Sequence, residues 1–160
     1  MLIGIVADTH DRLPMIDAAV ALFARQKVEA LIHAGDFVAP FALKRLMRFD
    51  GPLYATYGNN DGERQGLKGL LPGLGSGPLL LELDGRSILV HHYLGWCDAS
   101  DIDRADVVVT GHTHEPEIRA DHGKLFVNPG ECCGWVTGRC TTAILDTKGP
   151  SARIHDLEAS

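Results

Sequence analysis

Five short apolar segments, each running into an aspartate, asparagine or histidine, constrain this chain more than any other feature. The first is the segment MLIGIVADTH, in which apolar residues lead directly to Asp8-Thr9-His10. A short run rich in Ile and Val is typical of a buried strand. In an open α/β sheet, ligands bind just beyond the carboxyl ends of the strands. For this segment alone, the competing interpretation is that Asp8 caps a helix and His10 lies at the surface.

The same pattern recurs four times along the chain. Apolar residues run into Gly35-Asp36, Gly58-Asn59-Asn60-Asp61, His91-His92 and Gly111-His112-Thr113-His114. Any one of these segments alone is more often structural than functional. Oxygen or nitrogen ligands at the ends of all five strands are not expected by chance. The sequence therefore predicts one site at which these strand ends meet.

Hydrophobic periodicity predicts an α/β fold. Apolar residues at helical spacing predict a helix over Leu13 to Arg25, with Pro14 in its first turn and Asp11 as its N-cap. A second helix is expected from Pro40, which gives a β-α-β-α-β first half with a largely parallel sheet. Asp84-Gly85 between two apolar runs predicts a hairpin, and the second half is interpreted as antiparallel hairpins. Because no linker or repeat divides the chain, residues 1–160 are expected to form one domain.

Composition argues against several classes of function. The chain has 15 Lys and Arg against 21 Asp and Glu, so its net charge of −6 disfavours binding to polymeric nucleic acid. No apolar stretch approaches membrane-spanning length, and the first apolar run lacks the basic flank of a signal peptide. The four cysteines show no CxxC spacing, and we expect reduced thiols in a cytoplasmic protein. The roles of Cys132 and Cys133 stay open.

The strand ends supply more ligands than one metal ion needs. The candidate ligands are Asp8, His10, Asp36, Asn59, His91, His112 and His114. A zinc site takes four ligands, or three and a water, so this set suits two ions that share a carboxylate. Two divalent ions, two carboxylates and a hydroxide carry a charge of about +1, which complements a phosphodiester monoanion. The donor set suits Mn²⁺, Fe, Co²⁺, Ni²⁺ or Zn²⁺, and we expect two divalent ions, with Mn²⁺ first among them.

The ordered motifs resemble those of the calcineurin-like metallophosphoesterases. IHAGD, GNNDGE and VNPGECCG are similar to segments of the small bacterial and archaeal YfcE-like phosphodiesterases. The resemblance covers nearly the whole chain and implies a four-layer α/β/β/α sandwich with two mixed β-sheets and a dinuclear site at one edge. It implies two ligand sets that share Asp36: Asp8, His10 and His114 in one, and Asn59, His91 and His112 in the other.

Two positions depart from the family pattern. The family's ligating histidine is usually followed by glycine, whereas His91 is followed by His92, so His91 is the expected ligand and His92 an alternative ligand or a substrate contact. Asn60 stands where phosphoprotein phosphatase relatives carry the histidine that protonates the leaving group. This change favours diesters and activated esters over unactivated monoesters. Asn60 is expected to hydrogen-bond a phosphate oxygen, while Asp61 and Asp11 are expected to orient ligating histidines.

The expected function is that of an enzyme, a metal-dependent phosphodiesterase in which a bridging hydroxide attacks a small phosphodiester or nucleotide in line. One alternative is a phosphomonoesterase or nucleotide pyrophosphatase at the same site. Another is a protein-binding scaffold, as the retromer subunit of this fold is, although a scaffold has no need of converging ligands. Trp96 and Trp135 are interpreted as core residues or as the lining of a pocket mouth. The physiological substrate stays open, as does a homodimer, which small domains with sheet edges often form.

Overall fold

A computed structural model describes residues 1–158 and contains two five-stranded β-sheets with helices on their outer faces. The last two positions of the expected domain, 159–160, lie outside the described residues. The strands are β1 (Leu2–Val6), β2 (Ala30–His33), β3 (Leu53–Ala55), β4 (Leu79–Leu83), β5 (Arg86–Val90), β6 (Val107–Val109), β7 (Pro116–Asp121), β8 (Lys124–Pro129), β9 (Thr141–Asp146) and β10 (Ser151–Asp156). The helices are α1 (Leu13–Arg25), α2 (Pro40–Leu46), α3 (Arg64–Leu70) and α4 (Ala99–Asp103).

The first sheet has the strand order β10-β9-β1-β2-β3. Strands β1, β2 and β3 are parallel, and β9 and β10 add to β1 as an antiparallel pair. The predicted β-α-β-α-β arrangement of the first half is therefore confirmed. The expected helix cap is wrong: Arg12 precedes α1, and Asp11 Oδ1 instead accepts a hydrogen bond from Ala39 N at 3.0 Å.

The second sheet has the order β4-β5-β6-β8-β7. Its outer pairs, β4-β5 and β7-β8, are antiparallel hairpins, but β5, β6 and β8 run parallel. The interpretation of the second half as antiparallel hairpins is therefore confirmed for these outer pairs and for β9-β10, and is wrong for β5, β6 and β8. The segment between β5 and β6 contains α4 and carries the chain back across the sheet, so β6 enters in the same direction as β5.

Three apolar clusters separate the layers. Ile3 and Ile5 of β1 pack with Val90 and Val109 between the two sheets. Val6 and Leu31 face the opposite side and pack with helices α1 and α2. Leu89 and Val108 on the far face of the second sheet pack near α4. The expected four-layer α/β/β/α sandwich is confirmed, and the buried central strands read as continuous apolar runs because both of their faces are covered.

The parallel strands place their carboxyl ends at one edge. Val6 pairs with His33, and His33 pairs with Ala55, so the loops after β1, β2 and β3 lie side by side. Val90 pairs with Val109 in the second sheet, which brings the loops after β5 and β6 together in the same way. Among the described residues, no helix has the length and apolar character needed to cross a bilayer.

Candidate metal centre

The loops that follow β1, β2, β3, β5 and β6 converge at this edge and hold one another through backbone hydrogen bonds. Asp8 N donates to Gly35 O at 3.0 Å, and His10 N donates to Asp36 O at 3.2 Å. Five expected ligand or near-ligand positions adopt the left-handed backbone region that non-glycine residues rarely occupy: Asp8, His10, Asp36, His112 and His114. Such backbone conformations cluster at functional sites, where the surrounding structure must hold them in place.

Two glycines allow these loops to approach the carboxylates closely. A Cβ atom at Gly58 would lie 2.0 Å from Asp36 Oδ1, and a Cβ atom at Gly111 would lie 2.9 Å from Asp8 Oδ2. The space that a side chain would fill is used by the backbone, since His112 N donates to Asp8 Oδ2 at 3.0 Å. Glycine at these two positions therefore allows the backbone to approach the carboxylates closely.

One group of donors, which we call the first half-site, consists of Asp8, His10 and His114 together with Asp36. His10 Nε2 lies 3.5 Å from Asp36 Oδ2 and 3.9 Å from Asp8 Oδ1. His114 Nε2 lies 3.5 Å from the same Asp8 oxygen. Ligand atoms of Asp8, His10 and Asp36 all lie within 4.8 Å of one another. Donors at this spacing surround a volume that one ion can fill.

Two buried atoms of the first half-site, Asp8 Oδ1 and His10 Nε2, have no hydrogen-bond partner within residues 1–158. Burial raises the pKa of Asp8 to about 6, although His92 and His114 oppose this shift. Burial also lowers the pKa of His10. A buried polar atom without a partner is unfavourable, so these two atoms fit a cation that both would bind. The residues present therefore suit the metal ion that the sequence predicts.

A second group, the second half-site, consists of Asn59, His92 and His112, again with Asp36. Asn59 Oδ1 lies 3.0 Å from His92 Nε2 and 2.9 Å from His112 Nδ1. His92 Nε2 lies 3.4 Å from Asp36 Oδ2. His92 Nδ1 donates to Ala34 O at 2.8 Å, which orients the ring with Nε2 toward the cluster. The pKa of His92 is raised, because the hydrogen bond and charge of Asp36 outweigh the effect of burial.

His91 does not join this cluster, which corrects the assignment expected from the sequence. Its Nδ1 accepts a hydrogen bond from His92 N at 2.9 Å, and its ring packs against Trp96 at 5.6 Å between centroids. Side chains alternate along a strand. His91 therefore continues the face of Leu89, toward the outer layer, whereas His92 continues the face of Val90, between the sheets. The geometry favours His92 over His91 as the ligand.

The surroundings of Asp36 agree with the bridging role expected for it. Asp36 Oδ2 lies close to His10 of one half-site and His92 of the other. Asn60 donates to Asp36 through both its backbone N, at 2.8 Å, and its side-chain Nδ2, at 2.7 Å. Burial would raise the pKa of Asp36, but these hydrogen bonds and that with His92 prevail and lower it. Asp36 thus lies close to donors of both half-sites.

Asp61 has a different role from the one expected. Its carboxylate accepts hydrogen bonds from the backbone N atoms of Asp36, Val38 and Gly58, at 2.8 to 2.9 Å, and has no hydrogen bond with a histidine. Asp61 therefore ties the loop after β2 to the loop after β3. Asp11 likewise bonds a backbone amide. The expectation that either residue directly orients a ligating histidine is corrected by these contacts.

Glu131, which could not be identified from the sequence, orients His114, one of the expected ligands. His114 Nδ1 donates to Glu131 Oε2 at 2.8 Å, which leaves Nε2 toward Asp8. Thr137 Oγ1 and Val136 N also donate to this buried carboxylate. Burial would raise the pKa of Glu131, but these hydrogen bonds lower it to about 2. A carboxylate behind a histidine ligand fixes its tautomer and raises its basicity.

Cys133 lies beside this arrangement. His10, His114 and Cys133 present donor atoms within 4.8 Å of one another, and Cys133 Sγ donates to Glu131 Oε2 at 3.1 Å. Burial raises the pKa of Cys133 to about 12, so the free thiol stays protonated near neutral pH. Cys132 is fully buried in the core. Cys132 thus packs in the core, and Cys133 donates a hydrogen bond to the carboxylate that contacts His114.

His33 lies beneath the cluster. Gly35 N donates to His33 Nδ1 at 3.0 Å, and His33 Nε2 contacts Thr9 Oγ1 at 3.1 Å. Its ring stacks on Phe37 at 3.6 Å, and burial lowers its pKa to about 3. A neutral His33 thus supports the loops after β1 and β2 from below.

Comparisons with known proteins agree with this fold. The family model for the calcineurin-like phosphoesterase superfamily domain matches residues 1–149. The chain is 41% identical over 166 residues to phosphodiesterase MJ0936 of Methanocaldococcus jannaschii, covering 99% of this chain and 100% of that relative. A solved structure of a novel archaeal phosphodiesterase has a TM-score of 0.86 and 38% identity, covering 98% of this chain and 100% of the other. YfcE of E. coli, a phosphoesterase, has a TM-score of 0.73 and 21% identity over 99% of both chains, which shows the fold alone.

Proposed function

The chain belongs to the calcineurin-like phosphoesterase superfamily and is a hydrolase of phosphate esters, and we propose that it is a metal-dependent phosphodiesterase acting on a small phosphodiester or nucleotide. The similarity to phosphodiesterase MJ0936 along nearly the whole chain supports this activity. The observation that carries the proposal is the position of Asp36 between two half-sites, each with nitrogen and oxygen donors.

The proposed ligands form two sets around Asp36. Asp8, His10 and His114 would hold one divalent ion, and Asn59, His92 and His112 would hold the other. The ligand set of the sequence analysis is thus retained with His92 in place of His91. Mn²⁺ remains the expected ion, and Fe, Co²⁺, Ni²⁺ and Zn²⁺ suit the same donors.

Bound in this way, the two ions would polarise the phosphoryl oxygens and supply the expected bridging hydroxide as the nucleophile. The chain contributes the rest by positioning. Glu131 holds His114 with Nε2 toward the centre, and Ala34 O does the same for His92. Asn60 keeps Asp36 in place with two hydrogen bonds and presents an exposed amide at the rim, where we expect it to reach a phosphate oxygen.

The preference for diesters follows from the same position. An amide at Asn60 cannot protonate a leaving group at neutral pH, so this residue cannot assist the departure of a poor leaving group. Diesters and activated esters, which need less assistance, are therefore the proposed substrates. We further propose that residues 1–160 act as one domain in the cytoplasm, and a homodimer stays a prediction.

Hydrolysis of bis-p-nitrophenyl phosphate tests this function. Metal-stripped protein is expected to be inactive, to gain activity with Mn²⁺, and to cleave the diester faster than the monoester p-nitrophenyl phosphate. Asp36→Asn should lower kcat/KM for the diester by about a thousandfold or more, because both ions lose their shared ligand. Asp50→Asn, an exposed aspartate remote from the centre, is the matched control.

Two results would contradict parts of this proposal. A folded wild-type protein without turnover in any of the named metals would contradict the proposal and favour a binding scaffold of the same fold. Faster cleavage of the monoester than of the diester would instead contradict the role given to Asn60.

A further inference from the structure

We propose that exposed aromatic side chains on both sides of the metal centre bind the bases of a nucleoside phosphodiester, so that the substrate is a dinucleotide or a similar diester with two planar groups. This inference rests on the proposed function, because it places the phosphate at Asp36. It adds a substrate class that the ligands alone do not specify.

One aromatic group borders the second half-site. The ring of Tyr93 lies 4.6 Å from that of His112, and the ring of Trp96 lies 6.1 Å from His112 and 6.2 Å from His92. Trp96 retains 49% of its surface exposure despite these contacts. A short 3₁₀ turn at Leu94–Trp96 holds this side chain next to the two histidines.

The other aromatic group borders the first half-site. Trp135 Nε1 donates to His10 O at 3.4 Å, which ties the indole to the loop that carries a proposed ligand. The guanidinium of Arg12 lies 4.6 Å from the centroid of the Trp135 ring. Arg12 is itself held by Cys133 O. Trp135 is therefore positioned from one side and remains 63% exposed.

The distribution of exposed apolar side chains supports a binding role for these rings. Among the described residues, eight large hydrophobic side chains are exposed: Phe41, Met47, Leu80, Tyr93, Trp96, Ile118, Trp135 and Val136. Four of these eight belong to the two segments, 93–96 and 135–136, that border the centre. Exposed aromatic residues beside a polar, ligand-rich centre match a ligand that joins planar groups to a charged phosphate.

These two aromatic groups, which we call the two rims, also account for the two planar groups of the proposed substrate. The two ester substituents of a phosphodiester leave phosphorus in different directions, and the aromatic groups adjoin different half-sites. Stacking on an aromatic side chain accepts every base, so such rims would bind nucleotides with little sequence preference. A monoester would use at most one rim, in agreement with the diester preference argued from Asn60.

The chain contains two tryptophans, Trp96 and Trp135, so its indole fluorescence reports on these rims and on no other place. The test titrates the Mn²⁺-loaded protein with a phosphorothioate-linked dinucleotide, with dimethyl phosphate as the diester that lacks rings. We expect the dinucleotide to quench the fluorescence of both single-tryptophan variants, Trp96→Phe and Trp135→Phe. Dimethyl phosphate should quench neither. Phe41→Leu, an exposed position outside the two segments, should retain wild-type quenching.

Removing a ring should weaken binding. Trp96→Leu and Trp135→Leu are each expected to lower dinucleotide affinity by about tenfold, the size of one stacking contact. The ratio of kcat/KM for a p-nitrophenyl nucleoside phosphate over methyl p-nitrophenyl phosphate should fall to a similar extent. Circular dichroism of each variant checks that the fold is retained.

Several results would overturn the proposal. Equal quenching by dimethyl phosphate, or leucine variants with wild-type dinucleotide affinity, would show that the bases do not bind to these rings. A wild-type dimer in sedimentation that the leucine variants disrupt would make the rims a contact between copies of the chain. These failures differ from failure of the proposed function, in which bis-p-nitrophenyl phosphate is not hydrolysed while dinucleotide quenching can still be measured.

Discussion

The two half-sites share Asp36 but differ in how well their donors are satisfied without metal. In the first half-site, Asp8 Oδ1 and His10 Nε2 are buried and have no hydrogen-bond partner in the part of the chain that the structure describes. In the second, Asn59 Oδ1 contacts two histidine nitrogens at 2.9 and 3.0 Å. A metal ion therefore gains two unpartnered ligands in the first half-site, whereas in the second it must replace existing contacts. We expect the first half-site to bind its ion more tightly.

The two half-sites also differ in the acceptor group that orients one of their histidines. Glu131, a buried carboxylate, lies behind His114 of the first half-site, while a backbone carbonyl, Ala34 O, lies behind His92 of the second. A charged acceptor raises the basicity of a histidine ligand more than a neutral one does. The difference in support therefore favours tighter binding at the same half-site as the difference in hydrogen bonding.

Among the changes that compare the two half-sites, the largest effect is expected from a change at His92, which tests which histidine completes the second half-site. His92→Ala should lower kcat/KM for bis-p-nitrophenyl phosphate by about a hundredfold or more, because the second ion loses a direct ligand. His91→Ala is the matched control and should stay near wild type, since His91 faces the outer layer. Steady-state kinetics at saturating Mn²⁺ measure both. A larger loss in His91→Ala than in His92→Ala would restore the assignment expected from the sequence.

A smaller effect is expected from Glu131→Gln, which tests the support of the first half-site. The amide lacks the charge of the carboxylate and one of its acceptor oxygens. Mn²⁺ affinity at the first half-site should fall by about 10- to 100-fold, with little change at the second. Calorimetric titration separates the two steps, and Glu117→Gln, an exposed acid on β7, serves as the control. An equal loss at both steps would show that Glu131 acts on the whole fold.

The smallest effect concerns the stability of metal-free protein and tests whether the first half-site is unfavourable without its ion. Asp8→Asn removes a buried charge with one unpartnered oxygen, so the free energy of unfolding in EDTA should rise by about 1–3 kcal/mol. With Mn²⁺ the order should reverse, because only the wild type keeps this ligand. Urea denaturation under both conditions gives the comparison. A variant less stable than wild type in EDTA would mean that the Asp8 carboxylate stabilises the empty fold.

Much of this arrangement could be predicted because its signals are local. The apolar runs and the helical spacing after β1 gave the first sheet, and the polar residues at five strand ends gave most of the cluster. The alternation of side chains could also have identified His92, since it lies on the same face as Ile88 and Val90. The direction of β6 could not be predicted in this way, because it depends on how the segment around α4 crosses the sheet.

The role of Glu131 could not be predicted from the sequence for a different reason. Glu131 is the one charged residue between Val127 and Gly138, and a lone acid in such a segment is a weak sign of a buried carboxylate. Its partner, however, is His114, 17 residues away on another loop. The pairing depends on the turn after β8, which no local pattern specifies. Asp61 was misjudged for a similar reason, because its partners are backbone amides that carry no side-chain signal.

The most direct test of the two unequal half-sites is a stepwise titration of metal-stripped protein with Mn²⁺, in which bound Mn²⁺ and the rate of bis-p-nitrophenyl phosphate hydrolysis are followed together. We predict two binding steps of different affinity, with little turnover after the first ion and full turnover after the second. Full activity with one bound ion, or two ions bound with indistinguishable affinity, would contradict this account.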